Sequence, residues 1–193
     1  MNHKTEKDYQ HKIITIPNAL SLFRLVLIPV FLWLYCGRKE YLWSAFVLFL
    51  SGVTDVLDGW IARQFHMISD FGKALDPVAD KLTQAAVLLS LVTRFPLMAV
   101  LLVLFVLKEC IVGVSGLVII HKTRKVYGAD WHGKVNTCLL YLMVTLHIIW
   151  YDIPAIISDI LLCICFIMMT ISLVLYCIRN IGILKNQKSD IVG

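Results

Sequence analysis

Five of the chain's 13 acidic residues fall between positions 55 and 80: Asp55, Asp58, Asp70, Asp76 and Asp80. Asp55 and Asp58 are three apart and Asp76 and Asp80 four apart, spacings that put both members of a pair on one face of a helix. A hairpin turn over residues 63–73 brings the two faces together and gathers four carboxylates around one point. Such a group repels itself strongly unless cations neutralise it. Oxygen-only ligands favour hard ions, so the pattern predicts two divalent ions, Mg²⁺ or Mn²⁺, held by Asp55, Asp58, Asp76 and Asp80. Two metals in such a set bridge a diphosphate and stabilise both the attacking and the leaving oxygen. Asp70 lies in the turn, off both faces, and reads as a cap.

The residues between the pairs suit a nucleotide. Gly59 and Gly72 let a ligand approach the backbone closely, Ala62 is small on the same helical face, and Arg63 offers a planar fork to phosphate. Neither a Ser-His-Asp nor a Cys-His set is apparent, so no covalent nucleophile is expected. The six cysteines contain no CxxC pair and no four-ligand cluster, which argues against structural zinc.

These side chains must be positioned by elements that live in lipid. The chain has 193 residues, 59% hydrophobic and only 16% charged, where soluble domains hold roughly 25% charged residues. That composition excludes a secreted disulfide scaffold, a free cytosolic enzyme and a disordered tail. Six apolar segments stand near 17–36, 41–62, 74–93, 95–120, 134–151 and 154–178, each long enough to cross about 30 Å of hydrocarbon as a helix. They lack the alternation of barrel strands. The expected architecture is an all-α integral membrane protein: an amphipathic juxtamembrane segment (1–16), a six-helix domain (17–178) and a cytoplasmic tail (179–193). No cleavable signal peptide is read at the N-terminus.

Net charge is +5, but the basic residues cluster between apolar runs, which speaks for membrane orientation and against nucleic acid. With the N-terminus inside, twelve of the 18 Lys and Arg lie on the cytoplasmic side and three outside. Both termini and the carboxylates are therefore expected in the cytoplasm.

Read together, Asp55 to Asp80 spell D-x-x-D-G-x-x-A-R, eight residues, then G-x-x-x-D-x-x-x-D. This resembles the signature of the CDP-alcohol phosphatidyltransferases at every fixed position. Thr15–Arg24 (TIPNALSLFR), Leu75–Leu82 (LDPVADKL) and Gly133–Thr137 (GKVNT) are similar to segments of bacterial phosphatidylglycerophosphate synthases and related cardiolipin synthases. The resemblance implies a homodimeric, metal-dependent enzyme of phospholipid biosynthesis in a bacterial inner or plasma membrane. CDP-diacylglycerol would be the donor, and Asn18, Asp58, Gly59, Ala62, Arg63 and Gly72 would line the cytidine diphosphate site. Asp80, besides binding metal, would be the base that takes the acceptor's proton, with CMP leaving directly.

An anionic acceptor needs cations. Arg24, Lys108 and Lys134 are the candidates, with Thr137 one turn from Lys134; for the lysines the plainer alternative is a snorkelling anchor. The chain departs from the synthase pattern at Lys108-Glu109, where Arg-Glu is usual, at Gly116, where a further arginine falls, and at Asn136, where a second lysine is common. Glycerol 3-phosphate ranks first as acceptor, phosphatidylglycerol second and inositol phosphate third. A divalent-cation transporter is the rival outside enzymology, although transport sites lie nearer the bilayer midplane.

Overall fold

The computed structural model of the chain describes residues 15–65, 70–123, 130–150 and 152–192; the side chains of Ala62, Arg63, Asp70, Phe71, Lys73, Ala74 and residues 186–192 are outside that set. The juxtamembrane segment expected over 1–16 is outside it too, except for its last two residues. Every regular element among the described residues is helical. The chain divides into two compact units, residues 1–94 and 95–193.

The first unit holds α1 (Ile16–Leu32), α2 (Tyr41–Gln64) and α3 (Asp70–Val92). Thr15 starts α1 with an extended backbone, its hydroxyl accepting from the Asn18 N–H at 3.4 Å, and Pro17 follows in the first turn, where its missing N–H costs nothing. Beyond Pro29 the helix widens into a π-helical stretch, Trp33–Arg38, which ends at Lys39 in the left-handed conformation (φ 56°). α1 packs against both α2 and α3. Its buried stripe reads Pro17, Asn18, Ser21, Arg24, Leu27, Phe31: polar in the first half, apolar in the second. Leu22, Phe23, Val26 and Val30 on the remaining surface are exposed, as lipid-facing positions must be. Leu27, Phe31, Tyr35, Val87, Leu88 and Leu91 form the apolar core, with Tyr35 stacked on Phe31 at 5.8 Å and edge-on to Tyr41 at 5.2 Å.

The second unit holds α4 (Met98–Thr123), α5 (Trp131–Ile149) and α6 (Ala155–Val192), and here α6 packs against both other helices. Buried polar pairs fix its register. His147, fully buried, meets Ser158 Oγ at 2.9 Å through Nε2 and the Met143 carbonyl at 2.8 Å through Nδ1, and Asn180 donates to Ser115 Oγ at 2.7 Å. α6 has 38 residues, about 57 Å at the helical rise, so it runs on through the segment expected as a tail.

Each of the six expected apolar segments coincides with a helix over most of its described residues. Among the described residues, four stretches are long and apolar enough to cross a membrane: Ile16–Arg38, Tyr41–Ile61, Met98–Thr123 and Ala155–Lys185. α3 and α5 fall short because their N-terminal halves carry the polar residues of interest, Asp76, Asp80 and Lys81 in one and His132, Lys134 and Asn136 in the other.

Candidate active site

The site is built where three helices of the first unit meet. α2 contributes Asp55 and Asp58 from its last turns, and α3 contributes Asp76 next to Pro77, which interrupts the backbone ladder there. Carboxylate oxygens of Asp55, Asp58 and Asp76 all lie within 4.8 Å of one another. Asp58 is 1% exposed, while the side chains of Asp55 and Asp76 are 47% and 42% exposed. One carboxylate thus anchors the cluster from inside and two open it to a ligand.

α1 supplies what keeps these charges together. Arg24, 2% exposed, forms ion pairs with Asp55 through Nη1, with Asp58 Oδ2 at 2.5 Å and with Asp76 Oδ1 at 3.5 Å through Nη2. Ser21, one turn earlier, has its hydroxyl 2.9 Å from Asp76 Oδ1, 3.5 Å from Asp58 Oδ2 and 3.1 Å from the Pro17 carbonyl. Its single proton serves one acceptor at a time. Asp58 Oδ1 is buried without a hydrogen-bond partner among the described residues. An all-oxygen donor set with one buried oxygen unsatisfied, and three carboxylates against one guanidinium, fits a hard divalent cation.

Asp80 stands outside the three-oxygen group. It accepts from Gln84 Nε2 at 3.2 Å on both oxygens and lies 3.8 Å from Lys81 Nζ. Gly59 and Gly72 are half-buried beside the aspartates in sequence, and Asn18 is buried on α1. Ala62 and Arg63 lie in α2, but their side chains are outside the described residues.

Of the acceptor candidates, only Arg24 joins the aspartates within the first unit. Lys108 sits in the second unit, buried and paired with Glu109 Oε1 at 2.6 Å. Lys134 is exposed on the first turn of α5, and Thr137 donates back to the Gly133 carbonyl at 3.1 Å. The same unit holds a Ser-His-Asp array that the sequence concealed: His132 Nδ1 lies 3.2 Å from Ser172 Oγ and its Nε2 3.3 Å from Asp130 Oδ2. Ser172 is completely buried, so no substrate carbonyl reaches it, and the array is a structural clamp. Arg179 completes it by donating to Asp130 Oδ2 at 2.7 Å.

A family model described as CDP-alcohol phosphatidyltransferase matches residues 14–178. The chain belongs to this family. The cardiolipin synthase (CMP-forming) of Streptomyces coelicolor is 44% identical over 88 residues, which cover 43% of this chain and 41% of that protein. The CDP-diacylglycerol–glycerol-3-phosphate 3-phosphatidyltransferase of Bacillus subtilis is 32% identical over 140 residues, 65% of this chain and 72% of the relative. An Arabidopsis thaliana protein described as CDP-diacylglycerol–glycerol-3-phosphate 3-phosphatidyltransferase 2 is 41% identical over 96 residues, 47% and 40% of the two chains. The chain thus spans about two fifths of the Streptomyces and Arabidopsis relatives. The D-x-x-D-G-x-x-A-R…G-x-x-x-D-x-x-x-D pattern lies wholly inside the matched region. Ser21 and the counter-ion position of Arg24 are what the sequence reading missed. The signal was present as a polar stripe, Asn18, Ser21 and Arg24, at three-residue spacing on an otherwise apolar helix.

Proposed function

We propose that this phosphatidyltransferase moves a phosphatidyl group from CDP-diacylglycerol to a hydroxyl acceptor, glycerol 3-phosphate first, releasing CMP. The observation that carries the reading is the convergence of Asp55, Asp58 and Asp76 at the junction of α2 and α3. These residues, with Asp80 one turn further along α3, would hold two divalent cations, Mg²⁺ or Mn²⁺. Such ions, when bound, neutralise the diphosphate and the charge that develops on the leaving CMP.

The protein's own residues do the rest. Asp80 accepts the proton of the acceptor hydroxyl, a group too weakly acidic to ionise unaided. The oxygen so freed attacks the phosphorus that carries diacylglycerol. The bond from that phosphorus to the CMP oxygen breaks, and CMP departs with the electron pair. Gly59 and Gly72 leave room for the cytidine diphosphate to approach the protein backbone. Asn18, Ala62 and Arg63 complete the proposed cytidine diphosphate site. Arg24, Lys108, Lys134 and Thr137 are the proposed acceptor-binding residues.

The Streptomyces relative, a cardiolipin synthase (CMP-forming), supports phosphatidylglycerol as the second acceptor. The transporter alternative loses its footing with the family assignment. The wider proposal is a homodimer with six spans in a bacterial plasma membrane, both termini and the aspartates on the cytoplasmic side; the span count and orientation are supported by the distribution of basic residues. The decisive experiment incubates the purified protein with CDP-diacylglycerol and a panel of acceptors and resolves the lipid products by mass spectrometry. Phosphatidylglycerophosphate as the main product supports the first reading, cardiolipin the second. CMP release with no acceptor in the panel overturns both.

A further inference from the structure

Arg24 is the least expected charge in the first unit. It sits mid-helix in α1, flanked by Phe23 and Leu25, and is only 2% exposed. A buried guanidinium is costly unless its partners compensate it. Its partners here are one oxygen from each of Asp55, Asp58 and Asp76, the same three carboxylates that converge within 4.8 Å. The compensation is incomplete in both directions. Arg24 Nε and Asp58 Oδ1 are both buried with no hydrogen-bond partner among the described residues. One positive charge also stands against three negative ones. The cluster is therefore held together by Arg24 and still short of cation.

We propose that Arg24 is the resident counter-ion of the site. It keeps Asp55, Asp58 and Asp76 converged before a divalent ion arrives, and it then competes with that ion for the same oxygens, so that it sets how tightly the site holds metal. The inference rests on the reading of this cluster as a metal site. Arg24 acts through the carboxylates and is a positioning residue. Two consequences separate its two roles. Without the guanidinium, three carboxylates face one another unneutralised and the metal-free protein loses stability. Without it, an incoming ion also meets no resident positive charge, and binding tightens. Lysine retains the charge but not the planar fork that spans several carboxylates at once, so Arg24→Lys preserves the competition and only part of the convergence.

The test uses the full chain in nanodiscs. The protein is loaded with Mn²⁺, its affinity is read by back-titration with EDTA against the free-Mn²⁺ spin-resonance signal, and its melting temperature is recorded in excess EDTA and in saturating Mn²⁺. Arg24→Gln should bind Mn²⁺ about threefold more tightly or better. In EDTA it should melt at least ~5 °C below the unaltered protein, with the gap narrowing in saturating Mn²⁺. Arg24→Lys should keep its Mn²⁺ affinity within about threefold of the unaltered protein and melt between the other two in EDTA. Loading with metal before the titration keeps the affinity arm readable even for a variant that unfolds without it. Unchanged or weakened Mn²⁺ binding in Arg24→Gln, or an unchanged melting temperature in EDTA, overturns the counter-ion role. Absence of Mn²⁺ binding in the unaltered protein overturns the metal-site reading itself and the competition with it.

Discussion

Asp58 and Asp80 differ sharply in burial and in what they touch. Asp58 is 1% exposed and gripped by Arg24, so it holds position, whereas Asp80 is a quarter exposed and meets Gln84 and Lys81 of its own helix. A general base needs a lone pair that the acceptor hydroxyl can reach, and in the proposed mechanism the partly exposed Asp80 supplies it. Asp80→Asn is expected to lower CMP release from CDP-diacylglycerol by at least ~100-fold while the melting temperature stays put. Turnover within about tenfold of the unaltered enzyme would remove Asp80 from the role of base. Metal removal belongs to this scale too: dialysis against EDTA should abolish turnover, and Mn²⁺ or Mg²⁺ should restore it, as followed by CMP release. Survival of activity in EDTA contradicts the metal reading. The aspartates were legible in the sequence because the helical period alone fixes which residues share a face. Ser21 and the counter-ion position of Arg24 were not, because the side of α1 that turns inward is decided by its docking on α2 and α3.

At the scale of elements, the contact between α5 and α6 depends on an absent side chain. A Cβ on Gly133 would collide with the Tyr176 hydroxyl and stand 3.1 Å from Cζ and 3.2 Å from Cε2 of the same ring. That bare backbone lets Tyr176 reach the Asp130 N–H at 3.3 Å and meet His132 edge-on at 4.5 Å. The G-K-V-N-T segment therefore begins with glycine for packing as well as for any ligand. Gly133→Ala should cost about 1–3 kcal/mol, seen as a lower melting temperature. Tyr176→Phe, which deletes the colliding oxygen, should recover part of the loss, so that the double variant loses less than the two single variants together. Equal losses in all backgrounds would mean that the helices part rather than clash. The helices themselves were legible from uninterrupted apolar length. The π-helical end of α1 and the run of α6 past residue 178 were not. Arg179 and Asn180 are tied to Asp130 and Ser115, which holds helix where composition alone suggests an end.

For the whole molecule the open choice is how often it crosses the bilayer, and charge decides the expectation. Counting only the four helices that are apolar enough by themselves leaves α3 and α5 uncrossed. That topology keeps both termini on one side but moves Lys122, Arg124, Lys125 and Lys134 outside and Arg94 inside, eroding the bias of twelve basic residues against three. Six crossings preserve it, and the polar N-terminal halves of α3 and α5 then lie toward the cytoplasmic face, where aspartates and Lys134 are least costly. The two topologies give opposite sides to two segments. In a variant lacking the six native cysteines, Leu97→Cys should react with a membrane-impermeant maleimide added to whole cells, and Lys125→Cys only after the membrane is opened. The reverse pattern establishes four crossings and moves Lys134 to the face away from the aspartates. It would thereby remove both Lys134 and Thr137 from the acceptor side of the reaction.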